Sequence, residues 1–155
     1  MKKTRAIELL EQAGAAYEIR SFSAEEFTAD EAARELGLDP ATLFKTLVVR
    51  GERHGIALAM VPANAALSLR KLAALMGDKR ADMIDLKDLT RLTGYVKGGV
   101  SPLGGKRPYP VYLDQSALDH PAICMSAGQR GLQMLLAPAD LVALANATVG
   151  DLRDA

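Results

Sequence analysis

The chain has 155 residues, 49% of them apolar, and balances 19 Lys and Arg against 19 Asp and Glu. That length suits one domain, residues 1–155, with a core that needs neither disulfide nor metal. The charge balance excludes a global pull toward nucleic acid or an anionic membrane, so any polyanion must meet a local patch.

In chain order, the charged N-terminal stretch reads as an amphipathic helix, not a signal peptide, because Glu8 and Glu11 stand where an apolar core would belong. No apolar run approaches the length of a membrane span, and no membrane partner is expected. Thr4 can cap this helix, which would bury Ala6, Leu9, Leu10 and Ala13 and end at Gly14. A strand follows near residues 16–22. Thr28 stands three residues before Glu31, a capping-box spacing, and predicts a helix through Ala32, Ala33 and Leu36 to Gly37. Asp39-Pro40 turns the chain. The apolar runs 44–50 and 56–61, separated by GERHG, predict a hairpin. Ser68 caps a helix that ends at Gly77, and Asp85 opens another, through Leu86, Leu89 and Leu92, that closes at Gly94. Residues 109–113, 122–126 and 132–136 read as strands. SAGQRG, residues 126–131, is a glycine turn, and Pro138 opens a final helix that ends before Asn146. Strands and helices interleave without a regular alternation. The expected fold is therefore α/β, a mixed, barrel-like sheet surrounded by helices.

The stretch that stands apart is 93–107, TGYVKGGVSPLGGKR, whose glycine pairs and Ser-Pro suit neither helix nor strand. Such a loop presents backbone N–H groups to carbonyl oxygens or phosphates, or else serves only as a crossover turn. LGGKRP, residues 103–108, is not a phosphate loop: Val100 and Arg107 occupy positions that need Gly and Ser or Thr, and Pro108 and Pro110 block the helix that would follow.

Lys45 opens a strand that is apolar on both faces, so its ammonium either snorkels to solvent or enters a pocket. His54 lies in a hairpin turn and His120 precedes a proline. No set of side chains has metal-ligand spacing, and neither metal nor cofactor is expected. Cys124, the one cysteine, excludes a disulfide framework, fits a reducing compartment such as the cytoplasm, and reads as a small buried hydrophobe. Ser101 and Ser126 lack a nucleophile elbow or an orienting histidine. No conventional side-chain nucleophile is evident.

Taken together, FKTLVV around Lys45, TGYVKGGVSPLGGKR, and SAGQRGL near Ser126 resemble the signature of the YbaK family of aminoacyl-tRNA deacylases. The three motifs occur in the same order over nearly the whole chain, the FTADEAARELG helix included. The resemblance implies trans-editing that removes cysteine from Cys-tRNA(Pro), with alanine on the same tRNA as the nearest alternative. By position, it puts the functional lysine at Lys45 with Thr46 beside it, a G-x-x-x-P element at Gly98 and Pro102, a pocket aromatic at Phe27 and a pocket serine at Ser126. Phe22 stands where relatives carry tyrosine and Gln133 where some carry aspartate, which alters two substrate contacts. An aminoacyl ester is already activated, so backbone N–H groups at Gly98 and Gly99 could stabilise its oxyanion without a protein nucleophile. The substrate's own thiol would attack the carbonyl, with Lys45 in a positioning and electrostatic role.

The resemblance further implies aminoacyl-tRNA and prolyl-tRNA synthetase as partners, in a ternary complex. With basic residues as scattered as Lys97, Lys106, Arg107 and Arg130, tRNA affinity should be weak and salt-sensitive, and tRNA selection delegated to the synthetase. Two alternatives stay open: a noncatalytic module that holds a nucleotide or a tRNA acceptor end, and a protein-interaction domain whose glycine loop is only structural.

Overall fold

The computed structural model describes residues 3–22 and 29–154. Thr4 caps α1 (Arg5–Gln12), its Oγ1 accepting from Ile7 N at 3.2 Å and donating to the Ala127 carbonyl at 2.6 Å. The helix buries Ala6, Ile7 and Leu10, while Ala13 is exposed, so its core face is rotated from the one that the sequence suggests. β1 (Tyr17–Ser21) and α2 (Ala29–Leu36) follow. The expected cap of α2 at Thr28 lies outside the described residues. β2 (Phe44–Gly51) and β3 (Gly55–Pro62) form the predicted hairpin. Its turn is held from outside by the Asp78 carboxylate, which accepts from His54 N at 2.9 Å and from Arg53 N.

α3 (Leu69–Met76) runs between its Ser68 cap and Gly77, as its spacing predicts. β4 (Ala81–Met83) has no counterpart in the sequence reading, because three residues are too few to display a period. The helix expected from Asp85 instead divides into a 3-10 turn, Leu86–Asp88, and α4 (Leu89–Thr93), and Asp85 makes no side-chain cap. Beyond the glycine loop come β5 (Val111–Asp114), β6 (Ile123–Gln129), β7 (Leu132–Leu136), α5 (Pro138–Ala145) and β8 (Thr148–Gly150).

The fold is mixed α/β, as expected. Its strands form a three-stranded antiparallel sheet, in the order β1-β7-β6, and a five-stranded sheet, in the order β4-β2-β3-β5-β8. In the second, β2 is antiparallel to β3 and β4, whereas β5 is parallel to both β3 and β8. A parallel β3–β5 pair needs a long crossover, and the glycine loop is the last leg of it. Among the described residues the two sheets meet at one parallel bridge, Leu43 to Cys124. Among the described residues they do not close into a barrel, so the barrel-like expectation narrows to two sheets touching along one seam.

The main core fills the space between the sheets. Phe44, Met60 and Leu113 pack there with Ile123, Met125 and Met134, and Ile7, Leu10 and Leu141 come in from α1 and α5. Each such side chain contributes about 1.5–3 kcal/mol on burial. α3 covers the other face of the larger sheet, setting Leu72, Ala73 and Met76 against Val49, Ala59 and Val61. α2 covers the outer face of the smaller sheet, where Ala33 and Leu36 meet Leu43 and Cys124.

One buried charge pins the chain's last residues. The Asp114 side chain is 0% exposed. It accepts from Leu152 N at 2.8 Å and Ser116 Oγ at 2.6 Å, and pairs with Arg153 Nε at 3.2 Å. Asp114→Ala would strand these donors, and we expect a loss of about 3 kcal/mol of stability. The check is urea unfolding with a lowered midpoint and an unchanged slope.

Candidate active site

Lys45 is the second residue of β2 and pairs with Val61 across the hairpin. Side chains alternate along a strand, so Phe44 and Val48, both in the core between the sheets, put Lys45 on the opposite face with Leu43, Leu47 and Val49. The parallel bridge from Leu43 to Cys124 then decides what Lys45 neighbours. Lys45 and Ser126 each lie two residues beyond that bridge, on the face that carries Cys124. Gln133 pairs with Ser126 in the β6–β7 ladder and shares this face. Phe22, just past β1, packs into the cluster of Leu43 and Cys124. The seam therefore gathers Lys45, Ser126, Gln133 and Phe22 from four separate segments. Phe27, the remaining aromatic expected there, lies outside the described residues.

Thr46 differs from its neighbour. The same alternation turns it toward the core between the sheets, opposite Met60. Its Oγ1 is buried and has no hydrogen-bond partner among the described residues. An unpartnered buried hydroxyl costs about 1–3 kcal/mol.

Burial decides the chemistry of the two polar groups beneath the face. Cys124 is 1% exposed, and burial pushes its thiol up to about 12. Its Sγ lies 3.8 Å from Gln133 Oε1, in donor geometry. The thiol stays protonated and serves as packing and a weak donor, not as a nucleophile. Gln133, 6% exposed, supplies an acceptor there without bringing in a charge. Ser126 Oγ accepts from Gly128 N at 3.2 Å, which fixes the hydroxyl at the start of a bulge between Ser126 and Gln129.

The glycine loop lies against the β6–β7 turn. A Cβ on Gly99 would stand 3.1 Å from Arg130 N and 3.3 Å from the Gln129 carbonyl carbon, both backbone atoms. Gly98, at φ +83, lies under the Arg130 side chain. Only residues without side chains allow this approach. Val100, Ser101, Pro102 and Leu103 are buried, and Ser101 Oγ accepts from Leu103 N at 3.2 Å. Tyr95, next to Gly128, donates its hydroxyl to the Leu103 carbonyl and ties the loop's two limbs together. The two glycine amides are not equivalent. Gly99 N donates to the Val96 carbonyl at 2.9 Å, whereas the Gly98 amide has no acceptor among the described residues. Sequence reasoning missed Leu43, Tyr95 and the packing role of Arg130; the last two stand inside the quoted motifs, but nothing local announces Leu43.

Among the described residues, no group of three His, Cys, Asp or Glu is placed to hold a metal, and no helix is long and apolar enough to cross a membrane.

With this geometry in view, comparison with known proteins is informative. Residues 23–144 match the aminoacyl-tRNA editing domain. An Enterococcus faecalis protein provisionally named Cys-tRNA(Pro)/Cys-tRNA(Cys) deacylase EbsC is 41% identical over 147 residues, which cover 94% of this chain and 90% of that protein. A crystal structure described as that of a provisional trans-editing enzyme for prolyl tRNA synthetase superposes with a TM-score of 0.87 at 32% identity, covering 97% of this chain and 96% of the other. The hypothetical protein APE2540 shares the fold, with a TM-score of 0.88 at 23% identity over 97% of this chain and 99% of that one.

Two measurements check the energetics of the site. Thr46→Val removes the unpartnered hydroxyl at nearly constant shape, and we expect a gain of about 1 kcal/mol in urea unfolding. The second concerns pH. Burial holds both the Cys124 thiol and the Tyr95 phenol at about 12 in the native state, against 9.0 and 10.0 unperturbed. The unfolded chain loses these protons first, so their contribution to stability is complete below pH 9 and declines as pH rises toward 12. The expected readout is a falling melting temperature across that window, shallower in Cys124→Ala.

Proposed function

The chain belongs to the aminoacyl-tRNA editing domain family, and from that premise we propose that it acts as a single-domain deacylase in trans, removing cysteine from mischarged Cys-tRNA(Pro). The observation that carries this reading is the near end-to-end similarity to the Enterococcus protein, whose name specifies cysteinyl-tRNA as substrate. The geometry around Lys45 supports it: among the described residues there, the buried Cys124 thiol is held protonated and is no activated nucleophile.

In this reading the substrate provides the nucleophile. The cysteine thiol attacks its own ester carbonyl, forming a carbon–sulfur bond and a tetrahedral oxyanion. The carbon–oxygen bond to the terminal ribose then breaks, the thiol proton passes to the departing ribose oxygen, and the cysteine leaves as a thiolactone that water opens. Holding thiol and carbonyl together makes the step intramolecular, which supplies roughly 7–11 kcal/mol in favourable geometries. The Gly98 amide, which has no acceptor among the described residues, donates to the oxyanion; Gly99 acts through the turn that it closes onto Val96. The Lys45 ammonium adds positive charge and positions the ester. Ser126, Gln133 and Phe22 line the amino-acid side of the pocket. Thr46 supports Lys45 from the core side of β2.

Selectivity follows from chemistry more than from size. A pocket separates amino acids differing by one small group by only about 1–3 kcal/mol. A route that consumes the substrate thiol adds a requirement that alanine and serine do not meet. Prolyl-tRNA synthetase selects the tRNA body in a ternary complex; the structural neighbour named for that synthetase supports this partner.

The deciding experiment compares amino acid release from Cys-tRNA(Pro) and Ala-tRNA(Pro), using wild type and Lys45→Ala. We expect rapid cysteine release, little alanine release, and a loss on the order of a hundredfold in the variant at unchanged thermal stability. Preferential release of alanine would eliminate the thiol-assisted route, and full activity of Lys45→Ala would remove the lysine from the site.

A further inference from the structure

A cavity of about 630 Å³ borders the glycine loop, and Lys45, Ser126 and Gln133 take no part in it. It opens between the first turn and outer face of α1, the loop from Ser101 to Val111, and the C-terminal end of α5. Its size falls within the usual range for small-molecule sites, about 300–1,000 Å³. Arg5 and Arg107 stand on its rim, and no Asp or Glu lines it. Neither guanidinium has an ion pair or a hydrogen bond among the described residues, although the chain as a whole carries as many acids as bases. The Arg5 stem packs beside Gly104, which holds that arginine at the loop.

The wall offers flat apolar surface beside these charges. Tyr109 is held by its own hydroxyl, which donates to the Leu92 carbonyl at 2.8 Å, and by its amide, which donates to the Arg107 carbonyl at 3.0 Å. Pro108 and Pro110 flank it, and both line the cavity. The ring is thus fixed before any ligand arrives, and the backbone bond sets Arg107 close to it along the chain.

We propose that this cavity binds a nucleoside monophosphate unit, its phosphate between Arg5 and Arg107 and its base against the Tyr109 and proline wall. A purely apolar ligand would leave two unpaired cations unexplained, and inorganic phosphate alone would leave the aromatic wall and most of the volume unused. Base stacking on aromatic rings and arginine contacts to phosphate are the sequence-tolerant way of holding single-stranded nucleic acid. The unit comes either as a free nucleotide or as part of a tRNA acceptor strand; in the second form the assignment rests on the deacylase reading and gives the substrate a second point of attachment beside the loop.

The test uses the full-length protein and the double variant Arg5→Gln with Arg107→Gln. Both side chains are at exposed positions, and glutamine keeps the stem that packs on Gly104. Calorimetric titration with CMP and AMP, alongside cytidine and adenosine, reads the free-nucleotide form. Binding of uncharged tRNA across a salt series, with and without its terminal CCA, reads the acceptor-strand form. Support for the first is binding of the monophosphates at least tenfold tighter than the nucleosides, with the difference abolished in the variant. Support for the second is tRNA binding roughly tenfold weaker in the variant, a salt slope lower by about one, and no such difference once CCA is removed. Equal binding by wild type and variant to every probe overturns the proposal. None of these readouts depends on amino acid release, so a protein that releases no cysteine but shows the arginine-dependent binding would retain this site and lose only the deacylase reading.

Discussion

The two sheets touch where Leu43 runs parallel to Cys124, and the arrangement of the site depends on that contact. Parallel neighbours keep equal offsets on the same face, so the bridge carries Lys45 of β2 to the side where β6 presents Ser126. The same register sends Phe44 inward to Ile123 and Met125, in the main core. Core and site are therefore set by one alternation: slipping β2 by one residue would exchange Lys45 with a buried phenylalanine. Large apolar side chains between the sheets hold that register, since the slipped alternative would expose them.

Around this seam the glycine loop serves two purposes that its composition alone leaves undivided. It completes the crossover that makes β3 and β5 parallel, and it brings backbone to backbone against the β6–β7 turn at Gly99. These are the same property: absence of side chains lets the chain cross close to another strand. The loop has little freedom once there, with residues 100–103 buried and Tyr95 tying its limbs. It meets Arg130 and also borders the cavity with Arg5 and Arg107. A chain of balanced charge thus assembles local positive potential around one loop.

The polar residues at the seam are matched to low dielectric. Cys124 and Gln133 make a neutral donor–acceptor pair under α2, where a thiolate would be unfavourable. Among the described residues Thr46 carries a buried hydroxyl left without a partner, in the core beside Lys45.

Local signals in the sequence were sufficient wherever the stabilising contacts are themselves local. Thr4 and Ser68 cap their helices through amides three residues away, Gly77 and Asn146 end theirs in left-handed geometry, and the β2–β3 hairpin pairs neighbours in the chain. The unusual composition of residues 93–107 likewise marked a segment that is neither helix nor strand from Gly94 on, and the three motifs pointed to the family. What sequence could not settle lies in contacts between distant segments. β4 and β8 are three residues each and are strands only because β2 and β5 offer them edges. The face that α1 buries was decided by the sheet beneath it, Ile7 replacing Ala13. Whether Lys45 snorkels or turns toward a pocket, which glycine amide keeps its donor, and that two arginines from α1 and the loop share one cavity all follow from tertiary packing. Hydrogen bonds three or four residues apart are encoded in the order of residues, whereas the company that a strand keeps on its open edge is fixed only when the whole core has been buried.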